Sequence, residues 1–102
     1  MSRARSRALL AFGACTVAFV IACGKPPSRD ECDALLDHYV ELLVNSDRPG
    51  TNATELHKLQ REARQKAESD PEFGQCQNRV SRRAYDCAMI APNADKLEQC
   101  LL

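Results

Sequence analysis

The chain has 102 residues, of which 44% are hydrophobic and 27% charged, and its 14 Lys and Arg balance 14 Asp and Glu. That length is one small domain. With 5% aromatic residues and no Trp, the apolar core is expected to be thin, which leaves little room for a deep enzymatic pocket.

The first element is a leader. Arg3, Arg5 and Arg7 alternate with small residues, and the stretch from Ala8 to Ala22 carries no charge while Leu9, Leu10, Phe12, Val17, Phe19, Val20 and Ile21 supply apolar bulk. A basic start followed by a short apolar run and a small residue reads as an export signal. The run is about 15 residues, short of the roughly 20 that a helix needs to cross a bilayer. It ends in Val20-Ile21-Ala22-Cys23, which resembles the lipobox of bacterial lipoproteins, with Val where Leu is commoner. Cys15 follows Gly13-Ala14, but a cut there would leave an apolar core of about seven residues, the minimum for a signal.

The resemblance covers residues 1–24. It implies that the Cys23 sulfur receives a diacylglycerol, that cleavage follows Ala22, and that long acyl chains of the palmitate kind hold the chain to a bilayer. Gly24 in place of Asp implies the outer membrane, facing the periplasm, in a bacterium with two membranes. The plainer alternative is an ordinary signal that leaves Cys23 as a thiol. Residues 1–22 are then a cleaved leader, 23–28 an acylated N-terminus with a short tether, and 29–102 a helical domain. At the level of architecture the chain resembles secretion pilotins and other small helical lipoproteins.

Loss of Arg3, Arg5 and Arg7 with the leader leaves 11 basic against 14 acidic groups, three negative charges net. Nucleic-acid binders show the opposite sign, so no nucleic-acid partner is expected. Four cysteines remain beyond Cys23, namely Cys32, Cys76, Cys87 and Cys100. An even number in an exported chain reads as two disulfides. No Cys-x-x-Cys occurs, so neither a redox pair nor a zinc knuckle has its usual spacing.

Gly24-Lys25-Pro26-Pro27 reads as the tether. Ser28 with Glu31 three residues later is a capping box and marks a helix start. Cys32, Leu35, Leu36, Tyr39 and Leu43 form one stripe at helical spacing, with Asp33, Asp37 and Glu41 on the other face, so a first helix is expected from about Arg29 to Val44. Pro49-Gly50 stops it. Asn52-Ala53-Thr54-Glu55 caps a second helix, whose Leu56, Leu59, Ala63 and Ala67 make a narrow stripe on a largely solvated rod. Asp70-Pro71 starts a third helix, on which Phe73, Cys76, Val80, Ala84, Cys87 and Ala91 recur at steps of three and four. Pro92-Asn93 breaks it, Asn93 caps, and Ala94, Leu97 and Leu101 flank Cys100 on a short last helix. The fold class is all-α: a small disulfide-stapled bundle of three main helices plus a short C-terminal one.

On one unbroken helix Cys76 and Cys87 would lie about 16 Å apart, too far for a bridge. In an up-down-up bundle Cys32 and Cys76 both lie near the starts of parallel helices, and Cys87 lies just before the turn that returns Cys100. The pairs Cys32–Cys76 and Cys87–Cys100 are therefore expected, while the other pairing, Cys32–Cys87 with Cys76–Cys100, would need the first helix shifted by about three turns.

Catalytic residues are not expected. No Gly-x-Ser-x-Gly, His-Glu-x-x-His or phosphate-binding Gly-rich loop is present, and neither a cofactor nor a metal is implied. His38 with Asp37 and Glu41 supplies fewer convergent ligands than a metal usually takes, although this cluster is the basis of an alternative reading as a small-ligand or metal-handling binding protein. The remaining candidate is Tyr85 with Met89, on the side of the third helix shared with Asn78 and Arg82. Tyr, Met and Arg are enriched at interfaces, whereas ordinary packing would bury Tyr85 and Met89 against the second helix. The expected role is a non-enzymatic, membrane-anchored module that contacts another envelope protein.

Overall fold

The computed structural model describes residues 24–102. The leader, Cys15 and the Cys23 acylation position lie outside the described residues. Five α-helices and no strand occur among them: α1 (Arg29–Asp47), α2 (Ala53–Glu68), α3 (Cys76–Arg79), α4 (Arg82–Met89) and α5 (Ala94–Leu101), with a 3₁₀ turn over Phe73–Gln75.

The helix starts are local chemistry. Ser28 Oγ accepts from Glu31 N at 3.2 Å while Glu31 Oε1 accepts from Ser28 N at 3.0 Å, a complete capping box at the start of α1. Asn52 caps α2 through Glu55 N, Ser81 caps α4 through Ala84 N, and Asn93 caps α5 through Lys96 N. α1 runs three residues past its expected end, to Asp47. The chain turns at Gly50, whose φ of +85° favours glycine.

α1 is the central rod and touches every other helix. α2 lies along one side, and the α4–α5 hairpin packs on another. The main core is small: Leu35, Ala88, Ala91 and Leu97, ringed by the half-buried Tyr39, Leu42, Tyr85, Met89 and Cys100. Because α1 is covered from more than one direction, its apolar surface is wider than a single stripe. Val44 is buried, and Leu43, expected on the stripe, is 38% exposed.

The third helix is not continuous. Asp70 Oδ1 accepts from Glu72 N in a turn rather than capping a helix, and the chain passes through the 3₁₀ turn before α3 begins at Cys76. α3 then ends after one turn. Val80 is extended at φ −92° and ψ 120°, and Ser81 begins α4 as its cap. The three- and four-residue steps from Cys76 to Ala91 run straight through this break. Periodicity records which residues face inward, and a two-residue bend that keeps Val80 and Ala84 half-buried leaves it intact.

Two disulfides close the structure, Cys32–Cys76 with Cα atoms 6.3 Å apart and Cys87–Cys100 at 5.7 Å. These are the pairs the bundle geometry favours, although the unbroken helix used to exclude Cys76–Cys87 does not exist. Cys32–Cys76 ties α1 to α3, and Cys87–Cys100 ties α4 to α5. By unfolded-chain entropy, a bridge across 44 residues stabilises by about 4 kcal/mol and one across 13 residues by about 3 kcal/mol. Replacing Cys32 and Cys76 together by Ala is therefore expected to reduce the free energy of urea unfolding more than the Cys87/Cys100 double replacement does, by about 1 kcal/mol.

Candidate functional site

Of the four residues expected to share one patch, the structure keeps Arg82, Tyr85 and Met89 together on α4 and places Asn78 apart on α3. Tyr85 and Met89 are half-buried and pack on the Leu35–Ala88–Ala91–Leu97 core. They do not lean on α2, which among the described residues touches only α1 and the 3₁₀ turn. Asn78 is exposed on α3, across the Val80–Ser81 bend from Arg82 on α4. Tyr85 and Met89 thus pack on the core with part of each side chain exposed, while Arg82 reaches across to α1.

Arg82 is a clamp. Its Nη1 donates to Glu31 Oε2 at 2.6 Å and its Nη2 to Glu31 Oε1 at 2.8 Å, a bidentate pair joining the starts of α4 and α1. Its Nε donates to the Lys25 carbonyl at 3.0 Å, and Nη2 also reaches the Pro26 carbonyl at 3.4 Å. The guanidinium carbon lies 5.2 Å from the centroid of the Tyr85 ring, within cation–π range. Pro27, next along the chain, is fully buried. Residues 25–28, expected as a tether, are therefore laid against the body.

Glu31 thus serves two ends at once, the capping box and the clamp. The hydrogen bonds from Arg82, then that from the Ser28 amide, hold its carboxyl down at about 2, against an ordinary 4.5. The same pair raises Arg82 further above its ordinary range. Two other cross-links fix the helices. Arg64 on α2 donates from Nε to Asp37 Oδ1 at 2.8 Å and from Nη2 to Asp37 Oδ2, while Gln60 Nε2 donates to the Asp37 carbonyl at 3.1 Å. Tyr39 donates its hydroxyl to Glu98 Oε1 at 2.5 Å, joining α1 to α5. That bond to a carboxylate raises the Tyr39 hydroxyl above its usual range.

These contacts bear on the metal-handling alternative. Asp37 is engaged by Arg64, and His38 is half-buried on α1. Its Nε2 atom is buried without a hydrogen-bond partner. Among the described residues no group of three or more His, Cys, Asp or Glu side chains is placed to hold a metal ion.

Three features escaped the sequence reading. The first is the Glu31–Arg82 pair, which no local spacing announces. The second is the Ser81 cap, for which Ser before a turn of helix was the available signal. The third is an exposed apolar end. Ile90 is 84% exposed beside a cleft of about 480 Å³ lined also by Ala91, Pro92, Lys96 and the Cys87–Cys100 bridge. Leu101 and Leu102 are also exposed. A second cleft, of about 380 Å³, lies over the Cys32–Cys76 bridge and mixes Arg29, Asp33, Arg64 and Glu68 with Phe73.

Compared with protein-family models, curated proteins and solved structures, the chain matches none significantly.

Two outcomes follow from this geometry. Glu31 titrates lower in the folded state, so its contribution is present above pH 4.5 and is lost as pH falls toward 2. Glu31→Gln is expected to melt below the wild-type protein at neutral pH. The gap between their melting temperatures should shrink through that window, and a gap independent of pH would contradict the clamp. His38→Leu removes a buried nitrogen that has no partner, so thermal melting should show an unchanged or higher Tm.

Proposed function

We propose that this chain is a lipid-anchored, non-enzymatic module of a bacterial cell envelope, acylated at Cys23 and held on the periplasmic face of the outer membrane, where it contacts another envelope protein. The observation that carries the reading is the clamp. The Val20-Ile21-Ala22-Cys23 tetrapeptide resembles a lipobox, and the body is already gripped at the Lys25 carbonyl, two residues later. An acyl group at Cys23 would therefore hold a rigid body directly at the bilayer rather than a domain on a long leash.

The side-chain chemistry supports a non-enzymatic role. Ser28 and Ser81 are occupied as helix caps, and Cys32, Cys76, Cys87 and Cys100 are paired. Nucleophilic catalysis needs a free Ser, Thr or Cys beside a base. Ile90, 84% exposed beside the cleft at the Cys87–Cys100 bridge, is the apolar side chain of the α4–α5 hairpin left most open to a partner. With Tyr85 and Met89 packed on the core, this end is the more exposed contact surface.

Intact mass spectrometry of membrane-extracted protein is expected to show a chain that begins at Cys23 and carries acyl groups. Cys23→Ala should leave the precursor uncut and without acyl groups. In the same cells, a photo-crosslinker replacing Ile90 should capture a discrete envelope protein that one replacing the exposed Glu62 does not. An unmodified Cys23 would overturn the anchor, and equal capture from both positions would overturn the contact surface.

A further inference from the structure

Arg79 closes α3 and Arg83 lies in the first turn of α4, so the two flank the Val80–Ser81 bend. Both are exposed, and neither forms an ion pair among the described residues. They line a cleft of about 500 Å³ whose wall includes Gly24, Pro26 and Asn78. Among the described residues no acidic side chain lines this cleft. Arg82 does, but its charge is matched by Glu31, and Asp86 lies 4.0 Å from the same guanidinium. The acids Asp33 and Glu68 line the separate cleft over the Cys32–Cys76 bridge. The Arg79–Arg83 cleft therefore presents two uncompensated cations.

The place of these cations matters as much as their charge. Gly24 lines the cleft, and the Cα of Cys23 is bonded chain only about 3.8 Å further on. Surface charge is felt within a Debye length, about 10 Å at 0.1 M salt. With the clamp holding Lys25 and Pro26 still, the arginines cannot swing far from whatever holds Cys23. The amides of Arg82 and Arg83 open the first turn of α4 and have no partner within the helix, so they add donors beside the same cleft.

We propose that Arg79 and Arg83 form a docking surface for the anionic head groups of the bilayer, which sets how the anchored body stands on the membrane. The inference rests on the acylated Cys23 of the proposed function and deepens it: the lipid chains hold the module, and the arginines orient it, leaving Ile90 free for the protein contact. Two basic side chains near an anionic surface favour the docked orientation by roughly 30-fold.

The test is amide hydrogen exchange on the acylated protein reconstituted in vesicles of phosphatidylglycerol with phosphatidylcholine, compared with phosphatidylcholine alone. Docking should slow exchange at residues 79–84 by at least about tenfold in the anionic vesicles, given that preference. The protection should vanish in about 1 M salt, where the Debye length is about 3 Å. It should also vanish in the double variant Arg79→Gln/Arg83→Gln and survive in Arg79→Lys/Arg83→Lys. Equal exchange in both vesicle types, with acyl groups present on Cys23, would overturn the docking surface and leave the anchor standing. Protection that maps to residues 90–102 instead would also overturn it. An unmodified Cys23 would remove the anchor and this inference together.

Discussion

The constraint on which the rest of this structure depends is the shortage of apolar surface. The main core is four residues, two of them alanine: one from each of α1, α4 and α5, and Ala91 from the turn between the last two. A domain this small buries too little surface to be comfortably stable by packing alone. Covalent bridges take up the difference, and their placement follows the need. α3 is a single turn and α4 and α5 are two turns each, too short to hold themselves. Cys32–Cys76 fastens the shortest to the long central rod, and Cys87–Cys100 fastens the last two to each other.

Around that frame, polar side chains do the joining that apolar contacts do in larger proteins. Arg64 with Asp37 ties α2 to α1, Tyr39 with Glu98 ties α1 to α5, and Arg82 with Glu31 ties α1 to α4. The last pair stands apart because it also captures the Lys25 and Pro26 carbonyls. All of these groups remain partly exposed, and water screens pairs of that kind. Their main effect is to fix geometry. The proposed lipid anchor and the proposed lipid-facing arginines both depend on that geometry, since a loose segment at residues 24–28 would uncouple the body from Cys23.

The helical class, the helix caps at Ser28, Asn52 and Asn93, and the turn at Pro49-Gly50 were legible in the sequence, because each is decided within a few residues. The disulfide pairs were legible too, although through a premise the structure does not keep. The bend at Val80–Ser81 was hidden because inward-facing residues continue in step across it. The patch of Asn78, Arg82, Tyr85 and Met89 was a projection from that unbroken helix. The bend parts Asn78 from the other three, which stay together on α4 with Arg82 bonded to Glu31 and Tyr85 and Met89 packed on the core.

By itself the sequence determined that this chain is all-α, where most of its helices begin, and that its four later cysteines are an even set. Those properties depend on hydrogen bonds and periodicities spanning three to eleven residues. Only the tertiary structure decided what α1 buries, which arginine is spent on an internal carboxylate, and which apolar residue is left in solvent. Glu31 and Arg82 are separated by 51 positions and Tyr39 and Glu98 by 59. Pairings at that range follow from how α1 is covered by its neighbours, which no local pattern encodes. Val20-Ile21-Ala22-Cys23 carries its implied address in four residues, whereas the grip that would make an anchor at Cys23 rigid comes from Arg82, far along the chain.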